Sequence, residues 1–170
     1  MKFENFGTPH ESQRGYFAAS LYEEMLKNKD IWLIMADLGY KMFDKHRIAF
    51  PERTLNTGAA EQTAVGIAVG LAQEGKIPFV YSITPFLLYR PLEFIRNYIN
   101  HERTPVKLVG SGRGQDYSHD GFSHWAEEDG QIIRVFTNII PFWPSLKEAV
   151  PPLVREMANR KEPFYLNLTR

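Results

Sequence analysis

The run "IWLIMAD" (31–37) has no polar alternation and closes on an acid. A strand of that kind is buried on both faces, which requires helices packed above and below its sheet. The chain supplies helices in alternation with further strands. "ESQRGYFAASLYEEMLKN" (11–28) sets Phe17, Leu21 and Met25 at helical spacing behind Ser12, a suitable N-cap. A short strand and turn are expected at 53–58, with further strands at 77–83, 105–111, 138–142 and 164–170. Helices are expected at 59–74, at 91–102, from 123 toward 136, and at 145–160 despite the pair Pro151-Pro152. The order predicts an α/β chain: a three-layer αβα arrangement around a mostly parallel sheet. With no repeats, low-complexity tracts or linkers, residues 1–170 read as a single domain. In such sheets ligands sit outside the carboxyl ends of the strands. That points to Asp37, Gly58–Glu61, Ile83–Tyr89 and Ser111–His124.

Charge narrows the function classes. Twenty Lys and Arg balance twenty Asp and Glu, so no basic or acidic field points to nucleic acid or a membrane surface. There is no cysteine, which excludes disulfides and thiolate metal sites and fits a reducing, cytoplasmic setting. The first residues carry no apolar stretch of signal-peptide type, and the apolar run at Ala64–Ala72 is too short to span a bilayer.

That run belongs to "NTGAAEQTAVGIAVGLAQEG" (56–75), a stretch of small and apolar residues with one acid, Glu61, at its mouth. Gly66 and Gly70, and the alanines at 60, 64, 68 and 72, recur every four residues and form strips that another backbone can approach closely. Val65, Ile67, Val69 and Leu71 cover the other faces, and a helix apolar nearly all round is expected to be buried, here against a partner as well. Two readings of Glu61 are open. It complements the helix dipole in the first turn, or it is a carboxyl held in an apolar site to exchange a proton. Phe86 and Tyr89, three apart, can face one way as a packing pair or as a ring platform. His119, Asp120 and His124 cluster on one strand-end loop, but the histidine spacing without cysteine matches no usual zinc site, so no metal is assigned to this chain. "GSGRG" (110–114) lacks the third glycine of a dinucleotide loop and the Lys-Ser/Thr of a P-loop; Arg113 is kept as a candidate anion contact.

Several segments, taken in order, resemble the pyrimidine-binding domain of transketolase, within the thiamine-diphosphate enzyme superfamily that includes deoxyxylulose-phosphate synthase. "MADLG" carries Asp37 at the family's first-strand acid. "NTGAAEQTAVG" carries Glu61 at the acid of its G-x-A-E-Q motif, and "SITPFLLYR" resembles the aromatic segment on the cofactor's pyrimidine ring. "SHDGFSHWAEED" resembles the E-D-G-P-T-H segment, and "PFYLNLTR" the last strand with its arginine. The resemblance implies thiamine diphosphate as cofactor. It implies that Glu61 hydrogen-bonds the aminopyrimidine and controls its proton, that Phe86 and Tyr89 stack on the ring with Ile83 beside them, and that His124 takes part in catalysis. It implies that Asp120, His124 and Arg170 lie near the substrate; His119 is an addition beside them and joins them as a candidate substrate contact through the loop cluster. A carboxyl used this way is expected to have no Lys or Arg beside it, because a neighbouring cation would hold it ionised.

The departures are as informative. The family's diphosphate and Mg²⁺ are held by a separate domain marked by G-D-G followed by Asn, and no G-D-G occurs here. The resemblance therefore implies a partner polypeptide that holds Mg²⁺ and the diphosphate, the other product of a split transketolase, joined as a heterodimer or an α2β2 heterotetramer. The apolar face around Val65–Ala72 suits that contact. The chain stops at Arg170, so the family's third domain is expected to be absent. Sugar-phosphate contacts are largely replaced: Pro9, with His10 beside it, stands at the family's first arginine, Lys41 at its serine and Gly112 at its histidine, while Arg170 is kept. Losing those donors argues that the donor or acceptor is not an ordinary pentose phosphate, or that a different set of bases such as Lys41 and Arg113 binds it. The implied activity is transfer of a two-carbon ketol or acyl unit between carbonyl substrates. Its rivals are a subunit of a two-chain 2-oxo-acid decarboxylase and a non-catalytic interaction module of the same fold.

Overall fold

The computed structural model describes residues 2–170. The elements run α1 (Gln13–Lys27), β1 (Ile31–Met35), α2 (Asp44–Ala49), β2 (Thr54–Asn56), α3 (Glu61–Gln73), β3 (Ile77–Ile83), α4 (Thr84–Tyr89) and α5 (Leu92–Phe94), which continues as a π-helix over Ile95–His101. They continue with β4 (Lys107–Ser111), α6 (Asp129–Arg134), β5 (Ile140–Phe142), α7 (Val150–Asn159) and β6 (Phe164–Leu168). The strands form one parallel sheet in the order β2-β1-β3-β4-β6-β5. Parallel neighbours need crossovers, and the helices supply them on both faces.

The apolar strands explain the layers directly. Side chains alternate along a strand, so Leu33 and Met35, Phe79 and Tyr81, and Phe164 and Leu166 face α1 and α7, where Phe17, Leu21, Met25, Val154 and Met157 meet them. Ile34, Val80, Leu108 and Tyr165 face the opposite layer, built from Ala64, Val65, Ala68 and Val69 of α3 with Leu87, Ile95, Ile99 and Ile133. Ser12 caps α1 as expected, its Oγ accepting the Gly15 N–H at 3.1 Å. Among the described residues no helix is long and apolar enough to cross a membrane.

Two expectations need correction, and one element is new. The segment from 123 does not begin a helix. Residues 118–120 and 122–124 are separate 3₁₀ turns, Trp125 is extended, Ala126 pairs with Gly114 in an isolated antiparallel bridge, and α6 starts only at Asp129. The short α2 has no counterpart in the sequence reading. The small-residue helix is also not open over Val65–Ala72: Val65, Ala68, Val69 and Ala72 are buried under the chain's own sheet, and the stripe left to solvent is Thr63, Ile67 and Gly70.

Candidate functional site

Strand order reverses between β1 and β3, because β2 lies on one side of β1 and β3 on the other. A crevice forms outside the carboxyl ends at such a point. Asn56, the last residue of β2, ties the neighbouring loops: its Oδ1 accepts the N–H of Asp37 at 3.1 Å and of Gly58 at 3.0 Å. Asp37 lies just past β1 at φ 49°, exposed at the rim. Gly58, at φ 68°, turns the chain into α3. No side chain caps that helix, so its free N–H groups and dipole favour an anion in the first turn, where Glu61 stands.

Glu61 is 1% exposed. Its Oε1 accepts a hydrogen bond from Ser82 Oγ at 2.8 Å, and Ser82 is itself buried one residue before the end of β3. Its Oε2 is 2.5 Å from Nη1 of Arg90. The expected isolation of this acid is therefore overturned. Pro91 follows Arg90, and the α4 turn brings its guanidinium back over Phe86, 4.1 Å from the ring centroid. A buried carboxylate without a partner is strongly penalised, and the ion pair with its hydrogen bonds offsets that penalty.

The α4 helix starts without a loop after β3. Thr84 Oγ donates to the Gly112 carbonyl at 2.6 Å and accepts from Asn167 Nδ2 at 3.1 Å, which anchors the first turn that carries Phe86. Ile83 ends β3 beside it, half-buried. Tyr89 is tied to a different carboxylate: its hydroxyl donates to Glu128, and burial together with that carboxylate pushes the phenol well above its ordinary value. Of the aromatic pair, only Phe86 meets Glu61's partner.

The loop after β4 divides the predicted cluster. His124 sets its ring edge-on to Phe86 at 4.8 Å, and its Nδ1 contacts Ser123 Oγ at 3.0 Å. His119 Nε2 lies 3.2 Å from Asp120 Oδ2 and 3.1 Å from Nη1 of Arg170. Tyr117 joins the two groups. Its ring is 6.3 Å from both histidines and lies under the Arg170 guanidinium at 5.0 Å, while its hydroxyl contacts Ser111 Oγ at 2.8 Å and accepts from Arg14 Nη1 at 3.0 Å. Tyr117 also explains Gly112. A Cβ there would lie 2.4 Å from the Tyr117 ring, and the residue sits at φ +90°, so a histidine side chain does not fit.

Arg113, the candidate anion contact, is engaged within the chain. Its Nε donates to Asn167 Oδ1 at 2.9 Å, Nη2 to the Asn167 carbonyl at 2.6 Å and Nη1 to the Pro144 carbonyl at 3.2 Å, strapping the loop to β6. Further basic groups line a cleft elsewhere. A cleft of about 500 Å³ between the start of α1 and the segment after β1 is lined by His10, Ser12, Arg14, Leu38, Lys41 and Lys45. The Arg14 Nε in its wall is buried without a hydrogen-bond partner. Among the described residues no group of three or more His, Cys, Asp or Glu is placed to hold a metal ion.

The parallel α/β fold thus brings a buried acid at a helix start, an aromatic ring and histidines to the carboxyl ends of its strands, where ligands of such folds bind. The family profile described as "Transketolase, pyrimidine binding domain" matches residues 12–170, and the chain belongs to that family. A "Putative transketolase C-terminal section" of Methanocaldococcus jannaschii is 33% identical over 165 residues, covering 95% of this chain and 51% of that protein. An apulose-4-phosphate transketolase subunit of Actinobacillus succinogenes is 34% identical over 119 residues, covering 70% of this chain and 38% of that protein. A solved structure described as "Split gene transketolase, inactive beta4 tetramer" superposes with a TM-score of 0.82 at 33% identity, covering 94% of this chain and 52% of the other. The chain thus spans about half the length of the relatives it matches, or less.

Proposed function

We propose that this chain is the pyrimidine-binding part of a thiamine-diphosphate-dependent transketolase-type enzyme, moving a two-carbon ketol unit between carbonyl substrates. The observation that carries the reading is the buried Glu61 carboxylate, whose outward oxygen meets a flat group held over the face of Phe86. A planar heterocycle needs that combination of an in-plane carboxyl and an aromatic face. Glu61 would hold the pyrimidine nitrogen and its proton, with Ser82 fixing the carboxyl, Phe86 stacking, and Ile83 and Asp37 bordering the ring. When bound, thiamine diphosphate supplies the carbon nucleophile that cuts or joins the bond next to a carbonyl. His124 stands beside Phe86 to exchange protons with substrate oxygen, and His119, Asp120 and Arg170 contact the substrate's hydroxyls. Lys41, His10 and Arg14 line the cleft that would take an anionic substrate end in place of the missing donors.

A partner polypeptide carrying the G-D-G…Asn domain would hold the diphosphate and Mg²⁺, in a heterodimer or an α2β2 heterotetramer in the cytoplasm. Two facts support a partner: one relative is named as a single subunit of a transketolase, and a solved relative is described as an inactive β4 tetramer. The test is to co-express this chain with such a partner and assay ketose donors, with and without phosphate, against aldehyde acceptors. Glu61→Ala is expected to abolish turnover and C2–H exchange of the cofactor while the complex still assembles. Exchange at the wild-type rate in that complex refutes the reading.

A further inference from the structure

Arg90 makes the two contacts through which a pyrimidine ring would be held. Its guanidinium carbon stands 4.1 Å over the Phe86 ring, and its Nη1 reaches Glu61 Oε2 at 2.5 Å. Its side chain is 43% exposed, whereas that of Glu61 is 2% exposed, so the guanidinium is the outermost layer over the carboxylate. A guanidinium is flat, stacks on aromatic faces and presents N–H donors in its own plane. An aminopyrimidine is also flat and offers its hydrogen-bonding atoms at its edge. Both shapes need the face of Phe86 and the outward oxygen of Glu61, and two groups do not share one place.

We propose that Arg90 is a built-in stand-in for the cofactor's pyrimidine: it covers the Glu61–Phe86 site until the cofactor displaces it. The inference rests on reading Glu61 and Phe86 as the pyrimidine contacts. Its logic is energetic. Glu61 is too deeply buried to remain an unpaired carboxylate at low cost, and Arg90 satisfies it from within the chain. The guanidinium already faces solvent on one side, so swinging outward restores its hydration. The same arrangement lowers apparent cofactor affinity, because ligand binds only the fraction of molecules in which Arg90 has moved aside. Arg90 is thus a gate whose removal tightens binding, the opposite of what loss of a cofactor contact does.

The experiment uses the full chain and one probe, 4-amino-5-hydroxymethyl-2-methylpyrimidine, followed by calorimetry and by the Arg90 side-chain N–H resonance. Arg90→Ala is expected to bind the probe roughly tenfold more tightly than the wild type. Millimolar methylguanidinium is expected to compete with the probe in Arg90→Ala. In the wild-type chain, saturating probe is expected to move the Arg90 Nε–H signal toward that of a free guanidinium, a readout that needs no variant to fold. Equal or weaker binding by Arg90→Ala, or an unmoved Arg90 signal at saturation, overturns the stand-in. If Glu61→Ala still abolishes probe binding in that case, the reading of the site survives. Binding indifferent to Glu61→Ala, or no saturable binding in any chain, overturns both.

Discussion

Gly112→Ala tests how tightly the loop that carries the candidate substrate residues is set. Two penalties add. The residue sits at φ +90°, where a side chain costs about 1–3 kcal/mol of backbone strain. The new methyl would lie 2.4 and 2.5 Å from Cε2 and Cδ2 of Tyr117, and pushing a methyl into a packed ring costs about 1–3 kcal/mol. Neither group can give way easily. The Gly112 N–H donates to the Leu168 carbonyl at 2.8 Å, its own carbonyl accepts from Thr84, and Tyr117 is pinned between Ser111 and Arg14. The expected loss is roughly 2–6 kcal/mol, a large share of the ~5–15 kcal/mol that holds a small domain together. Urea unfolding of Gly112→Ala, Tyr117→Ala and the double variant separates the terms. Removing the Tyr117 ring should recover the steric part and leave the backbone part, giving a coupling of about 1–3 kcal/mol. A loss below about 1 kcal/mol in the single variant, or strict additivity in the double, refutes the reasoning.

His124→Ala, measured in the reconstituted complex, is expected to lower kcat by on the order of 100-fold with assembly unchanged; a kcat equal to wild type reduces His124 to a packing partner of Phe86. His46 gives a pH test. It is fully buried among Phe6, Tyr22 and Phe43 with no well-formed hydrogen bond to either ring nitrogen, and burial pulls its pKa from 6.5 down to about 3 against the opposing influence of the nearby Ala18 backbone. The folded state therefore favours the neutral ring, so its contribution is complete above pH 6.5 and is lost as pH falls toward about 3. Between pH 7 and pH 5 the loss is about 2 kcal/mol at about 1.4 kcal/mol per pH unit of full slope. His46→Leu should flatten that stretch of the stability profile, and an unchanged slope assigns the acid sensitivity to other groups.

Strands and layers were legible because burial on both faces leaves an unmistakable pattern. Ile31–Met35 and Phe164–Leu168 admit almost nothing polar, and adjacent residues in each serve opposite cores. The short α2 was not legible, because Asp44–Ala49 buries only His46 and so has no periodicity to read. The segment from 123 misled for a different reason. Its residues favour a helix, but the bridge from Ala126 to Gly114 is a long-range pairing that competes with the local preference and wins. Tyr117 escaped notice in the same way. Its role comes from Arg14, Ser111, Gly112 and Arg170, which lie far apart in the chain and meet only when α1, β4 and the end of β6 are assembled.

Glu61 shows how far a sequence reading reaches and where it turns. Its place at the mouth of a small-residue helix, with Phe86 in a later aromatic segment, is readable from the chain. Its solitude is not, because Arg90 is twenty-nine positions away and is folded back by the same α4 turn that presents Phe86. Isolation was a natural inference, since a fixed cation disfavours a protonatable acid. The structure replaces isolation with an ion pair to a half-exposed arginine. A carboxylate this deep needs a partner at every moment, so the question becomes which partner it has and how readily that partner leaves. A half-exposed arginine lying on an aromatic face regains its hydration by swinging outward, as a buried lysine would not, and under the proposed reading that is what would let one acid be satisfied in the folded chain and still meet a ligand.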